Sequence, residues 1–252
     1  PTPTPTPTPQ IDHIAKIKVS EQGDATRRIY EISFTYDEQK RLTSFNDRLI
    51  NEHSEVSRLG TISYDDPTTI KGIYSSDNPG LTRPVELQLS LNKHSKATKW
   101  ISNFYFHDGT VSYIEDSYVY DSNGHLTGFK YSLGWTYELT WQDGNLTKKI
   151  EKFEDEEKSR KIIAYSSIPN RTYPDLNLYL YGALGAPVWE SYWGDYLGLR
   201  SANLLSGYTN ISNGNESPRS LKYKLDAKAR PVEVEMKSGD HTYIHVITYL
   251  EK

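Results

Sequence analysis

One unit recurs along this chain and limits what it can become: an alternating strand that ends on an aromatic residue, a tight turn, and a return strand opened by Leu-Thr. Between Ser117 and Phe153 it occurs twice, ending on Tyr120 and Trp141, turning at Asp121–His125 and Gln142–Asn145, and returning at Leu126-Thr127 and Leu146-Thr147. Asp143-Gly144 suits a two-residue type I′ turn, because Asp and Gly best tolerate positive φ at both central positions. The other copy is one residue longer and ends on Gly124, which suits a type I turn followed by a left-handed glycine in a bulge. Tyr137, Leu139 and Trp141 share one face, with Glu138, Thr140 and Gln142 on the other. This period of two belongs to a half-buried antiparallel strand.

Weaker copies lie at Tyr36–Leu42, Tyr64–Ile70, Phe106–Gly109 and Leu225–Pro231. The Tyr36 and Leu225 copies have no turn glycine. A left-handed non-glycine residue costs about 1–2 kcal/mol, so those two loops are expected to be built differently. The stretch 47–60 is polar and reads as a loop or short helical turn. Asn210–Ser220 reads as a polar loop, and the charge run Glu151–Arg160 as a solvated hairpin loop rather than a calcium site. His241–Leu250 is apolar on both faces and is expected to be central in its sheet.

Tyr173–Leu205 breaks the alternation. Trp189, Tyr192, Trp193, Tyr196 and Leu197 fall at helical spacing, with Pro187 at the start and Gly198 at the end. Leu176, Tyr179, Leu180 and Leu184 repeat that spacing behind a candidate N-cap, Asp175. So apolar a segment is expected to cover a sheet face and complete the core, with an aromatic ligand platform as the alternative.

The expectation is therefore all-β: a long antiparallel meander of β-hairpin repeats forming a curled or barrel-like sheet, with a short helical segment (about 175–198) packed on one face. Residues 11–252 make a single domain. Residues 1–10 form a disordered linker in which strict Pro-Thr alternation dictates an extended, polyproline-like spacer.

The chemistry is sparse. A formal net charge of −4, with the charges interspersed, gives no basic surface for nucleic acid. No apolar run is long enough for a transmembrane helix. There is no cysteine, hence no disulfide or thiolate site. His241 and His245 stand four apart on a strand, about 13 Å from each other, so no zinc pair is expected. No nucleophile elbow, phosphate loop or dinucleotide fingerprint occurs, and no cofactor or metal is expected.

The unit Tyr120-Asp121-Ser122-Asn123-Gly124-His125-Leu126-Thr127 resembles a YD-type (Rhs-like) repeat. The chain from Ile11 to Lys252, with Asp175–Gly182 and Leu197–Thr209 as further support, is similar to a family of Bacteroides-type lipoproteins carrying domain of unknown function 4595. That resemblance implies an extracytoplasmic protein, outer-membrane-anchored or periplasmic, tethered through its N-terminal tract by a lipid, and it implies no mechanism. Function is expected to be non-catalytic binding of a glycan or protein ligand, with Trp135, Tyr192, Trp193 and Tyr196 as candidate binding residues. The face from Trp189 to Leu197 is read as mainly core, with any ligand site at its rim. A glycan-active hydrolase using a carboxylate pair and a structural subunit of a cell-surface assembly stay open as alternatives.

Overall fold

A computed structural model describes residues 11–23, 28–51, 54–76, 84–105, 111–131, 133–182 and 192–251. The linker, the Phe106–Gly109 turn and the Pro187–Trp189 helix start lie outside the described residues. The first half holds β1 (Asp12–Glu21), β2 (Arg28–Tyr36), β3 (Leu42–Asn51), β4 (Ser54–Asp66), β5 (Thr69–Ser76), β6 (Val85–Leu91), β7 (Ala97–Tyr105), β8 (Val111–Tyr120) and β9 (Leu126–Tyr131). The second half holds β10 (Trp135–Gln142), β11 (Asn145–Phe153), β12 (Glu156–Pro169), β13 (Thr172–Tyr173), the helix α1 (Leu176–Gly182), β14 (Asn203–Ser212), β15 (Asn215–Leu225), β16 (Pro231–Ser238) and β17 (His241–Tyr249).

Consecutive strands pair antiparallel, and β1 pairs with both β2 and β17. The sheet therefore closes into a barrel of 16 antiparallel strands; the short β13 adds a parallel pairing to β1. Twist accumulates in so long a meander, and closure removes both edges.

The recurring unit has a common physical basis. At Thr43, Thr98, Thr127, Thr147 and Val232 the return strand carries one extra residue opposite its partner. The four threonines turn their hydroxyls onto the carbonyls of Thr35, Ser90, Val119 and Thr140, at 3.1–3.2 Å. The residue before each is in the core: Leu42, Ala97, Leu126 and Leu146. Asp143 and Gly144 take φ of 51° and 72°, and Gly124 takes 80°, as a type I′ turn and a left-handed glycine require.

The glycine-free turns correct the sequence reading. They are built like the others, with Lys40 (φ 63°) and Ala229 (φ 57°) simply left-handed, as is Ser95 (φ 56°) in a copy the sequence hid. The acid or amide that opens each turn offsets the strain. Asp121 Oδ1 accepts from the backbone N–H groups of Asn123 and His125, Asp226 Oδ1 from Lys228 and Arg230, and Asn92 Oδ1 from His94 and Lys96. Arg41 and Arg230 then close the ring onto the second oxygens of Asp37 and Asp226.

Three stretches read as loops are strand. Residues 47–51 and 54–60 belong to β3 and β4, Asn210–Ser220 to β14 and β15 around the turn Asn213-Gly214, and Glu151–Arg160 to β11 and β12 around Glu154-Asp155. Their polarity has a common cause in β12 and β15: near those turns both faces of the strands are wet, as the exposure of Asn215–Pro218 and of Glu156 and Glu157 shows.

The helical segment packs on one face of the sheet, and closure of the sheet makes that face the inner one, so its described residues fill the barrel lumen. Tyr192 packs on Phe34 and Phe45, Trp193 on Trp100, Tyr179 on His245 and Tyr181 on Tyr208. These partners come from β2, β3, β7, β17 and β14, on different arcs of the wall, and only a segment inside the ring can reach them all. A closed sheet has its apolar face on the inside, so the cover must go there.

The outer wall is the reverse. Outward side chains form cross-strand ion pairs around the ring: Lys16–Glu31, Arg48–Glu55, Lys99–Glu115 and Lys152–Glu138, at 2.5–2.8 Å. Glu233, Glu235 and Lys237 continue the pattern on β16. The exposed apolar residues Leu59, Ile73, Val119, Ile162 and Val246 are scattered among them. A membrane-spanning barrel carries an apolar outer band about 25 Å tall, and a Lys or Arg at its midplane costs about 2–4 kcal/mol. This wall has the opposite polarity.

Candidate functional site in the barrel lumen

The plug is anchored before it can line a site. Asp175 caps α1, its Oδ1 accepting from the backbone N–H groups of Asn177 and Leu178. Asn177 clamps α1 to β14, donating to the Asn203 carbonyl at 2.7 Å and accepting from the Leu205 N–H at 2.9 Å. Asn170 bridges Asp175 and the Ser201 carbonyl. Burial pushes the Asp175 carboxyl up, against the pull of Arg200. With Leu176, Tyr179 and Leu180 fixed in the core, Leu178 and Tyr181 are left half-buried on the other side of the helix.

That side faces a cavity of about 200 Å³ between the plug and the wall from β7 to β11. Its buried floor is apolar: Leu126, Leu139, Leu146, Leu197 and Leu199. Trp100, Tyr118, Phe129, Tyr131 and Tyr181 add rings, and Asp116 and Lys149 are its charged groups. Phe129 and Tyr137 stack at 4.2 Å with planes 7° apart. The Lys149 ammonium sits 4.6 Å from the Tyr137 ring centre, 5.7 Å from Phe129 and 5.8 Å from Tyr181. Tyr118 and Tyr131 lie further along their strands from the Asp121 and Asp143 turns than the leucine floor does, with Asp116 opposite Tyr131, while Lys149 stands level with Leu139. The cavity thus grades from apolar at the turn end to aromatic and acidic toward the opposite end, with Lys149 between.

A second polar group in the lumen is the ion pair Asp47–Arg58, 2.7 Å apart, with the Tyr30 hydroxyl on Asp47. Desolvation raises the Asp47 pKa against the opposing pull of Arg58. The two charges answer each other across β3 and β4. His245 is sealed in the wall at 1% exposure, and burial lowers its pKa to about 4. Among the described residues no group of three or more His, Asp or Glu side chains could hold a metal.

The four candidate binding residues are not brought together. Tyr192 and Trp193 are in the core at 1% and 0% exposure, so they seal the plug and present no surface; the rim position expected for Tyr192 is corrected by this. Tyr196 is half-buried at the turn end, where its carbonyl accepts from the Ala97 N–H. Trp135 packs on Phe153 at the opposite end of β10. The cavity residues Asp116, Phe129, Lys149 and Tyr181 escaped the sequence reading. The extra residue at Thr147 shifts the phase of β11, so Leu146 and Lys149, three apart, face the same way. A strict period of two puts them on opposite faces.

No protein-family model matches the chain, and no curated protein matches it. Among solved structures it is similar in fold to a porin-like protein from Bacteroides uniformis, with a TM-score of 0.67 and 15% identity, over 94% of this chain and 98% of that one. A porin-like protein from Bacteroides vulgatus is also matched, at 12% identity and a TM-score of 0.33, over 96% of this chain and all of that one. The first likeness establishes the architecture: the chain is an all-β barrel of the shape that the porin-like protein has.

Proposed function

We propose that the protein is an extracytoplasmic binding barrel, tethered through its N-terminal tract, that stands in water and holds a ligand in its lumen without catalysing a reaction. The lumenal cavity carries this reading: apolar floor, aromatic walls and few polar groups are the ordinary make-up of a small-molecule site. Among the described residues Asp116 is its one lining carboxylate, where a glycosidase needs two facing each other. The envelope address is supported by the lipoprotein-family resemblance and by the Bacteroides source of the porin-like neighbours. β1 begins at the turn end, where Tyr36 donates to the Ile14 carbonyl, opposite the Asp116 end of the cavity. The ionic outer wall and the filled lumen favour a ligand holder over a membrane conduit.

In the test the chain is expressed without a lipid anchor, purified in plain buffer without detergent, and offered to liposomes. A monodisperse protein that stays in the supernatant and passes no ions across a planar bilayer supports the reading. Detergent-dependent solubility with protease-resistant insertion, or conductance steps, overturns it.

A further inference from the structure

The five bulged hairpins share one inward slot, three residues after the Leu of Leu-Thr or its equivalent. It is filled by Phe45, Trp100, Phe129 and Val234 in four copies and by Lys149 in the fifth. A repeat that uses an apolar residue for packing at four sites and an ammonium at one has given that position another task. The ammonium lies on the cavity against three ring faces, within the field of Glu151 two residues on. Among the described residues it has no hydrogen bond and no ion pair within 4 Å. The acid nearest in sequence, Glu151, takes its hydrogen bonds from the Ser159 hydroxyl at 2.6 Å and from Tyr137, and feels Lys149 and Lys161 only through their charge.

We propose that the cavity binds a free carboxylate with an apolar body, its carboxylate on Lys149 Nζ and its body on the leucine floor; this rests on the reading of the lumen as a binding site. Ring faces keep the cation in place, and Glu151 acts on it only at longer range, so no carboxylate among the described residues touches the ammonium. An entering carboxylate completes a charge-assisted pair in a setting less screened than water. Size sets the rest. A 150 Å³ apolar cavity holds benzene, so about 200 Å³ holds a body of about eight non-hydrogen atoms, too small for a two-tailed lipid. Asp116 projects from β8, three strands away from β11, and directs an anion to the Lys149 side.

Isothermal titration of the full chain with octanoate, octanol and octylammonium separates the terms. Octanoate is expected to bind best, and Lys149→Met to weaken it at least tenfold while leaving octanol unchanged. Lys148→Met, on the outer face of the same strand, should match wild type for all three. The octanol result reports whether the variant cavity is intact. Equal binding of octanoate and octanol to wild type, or an unaffected Lys149→Met, overturns the anion site and leaves lumenal binding standing. Tightest binding of octylammonium overturns it by sign. If none of the three binds, the lumenal-binding reading falls with it.

Discussion

Trp141 donates its indole N–H to the carbonyl of Leu126 across 2.7 Å, joining one hairpin repeat to the next. The same stitch recurs. Tyr36 donates to Ile14, Tyr64 to Leu42, Tyr165 to Leu146 and Tyr249 to Pro231. In four of these the acceptor is the residue just before the bulge of a return strand. The aromatic that ends a strand thus packs on the lumen with its ring and satisfies a carbonyl of the neighbouring hairpin with its polar tip.

Removing one stitch should have a measurable cost. Tyr165 bonds both the Leu146 carbonyl and Ser201 Oγ, so Tyr165→Phe should destabilise the barrel by about 1–2 kcal/mol. Urea unfolding measures it. No change in midpoint would mean that water replaces the hydroxyl without loss.

The left-handed turn residues give a sign test. Ala229→Gly should stabilise by about 1 kcal/mol by relieving a positive φ. Gly124→Ala should cost about 1–2 kcal/mol, since the added methyl meets only Lys96 Cε at 3.4 Å and the backbone alone resists. Thermal melts of the two variants should move in opposite directions.

The plug should be essential to the barrel. Trp193 is fully buried against Trp100, and Trp193→Ala should cost about 3–5 kcal/mol. A Trp193→Ala protein that melts like wild type would show that the barrel stands without its filling.

His245 should make stability pH-dependent. Its folded pKa of about 4 lies below the ordinary 6.5 because burial disfavours the cation. The unfolded chain therefore binds the extra proton first. The stability from burying a neutral imidazole is complete above pH 6.5 and is lost as pH falls toward 4. At pH 4.5 the loss is about 2–3 kcal/mol relative to pH 7. His245→Phe should remove that part of the acid sensitivity, seen as the difference between the two proteins' urea midpoints at each pH. Equal acid sensitivity would show that His245 is not sealed.

Local chemistry was legible in the amino acids alone. Asp143-Gly144 and Gly124 specify their turns through backbone sterics, the alternation in Trp135–Gln142 specifies a half-buried strand, and Asp175 marks the helix start it caps. Each depends on residues within a few positions of one another. Closure, and the placing of Tyr179, Tyr192 and Trp193 inside the ring, depend on how many strands meet and how far their twist carries β17 toward β1, which no local window contains. Lys149 shows the same divide at the scale of one residue. Its type was visible from the start, but the extra residue at Thr147 turns it inward, and only the folded wall surrounds it with the rings of Phe129, Tyr137 and Tyr181.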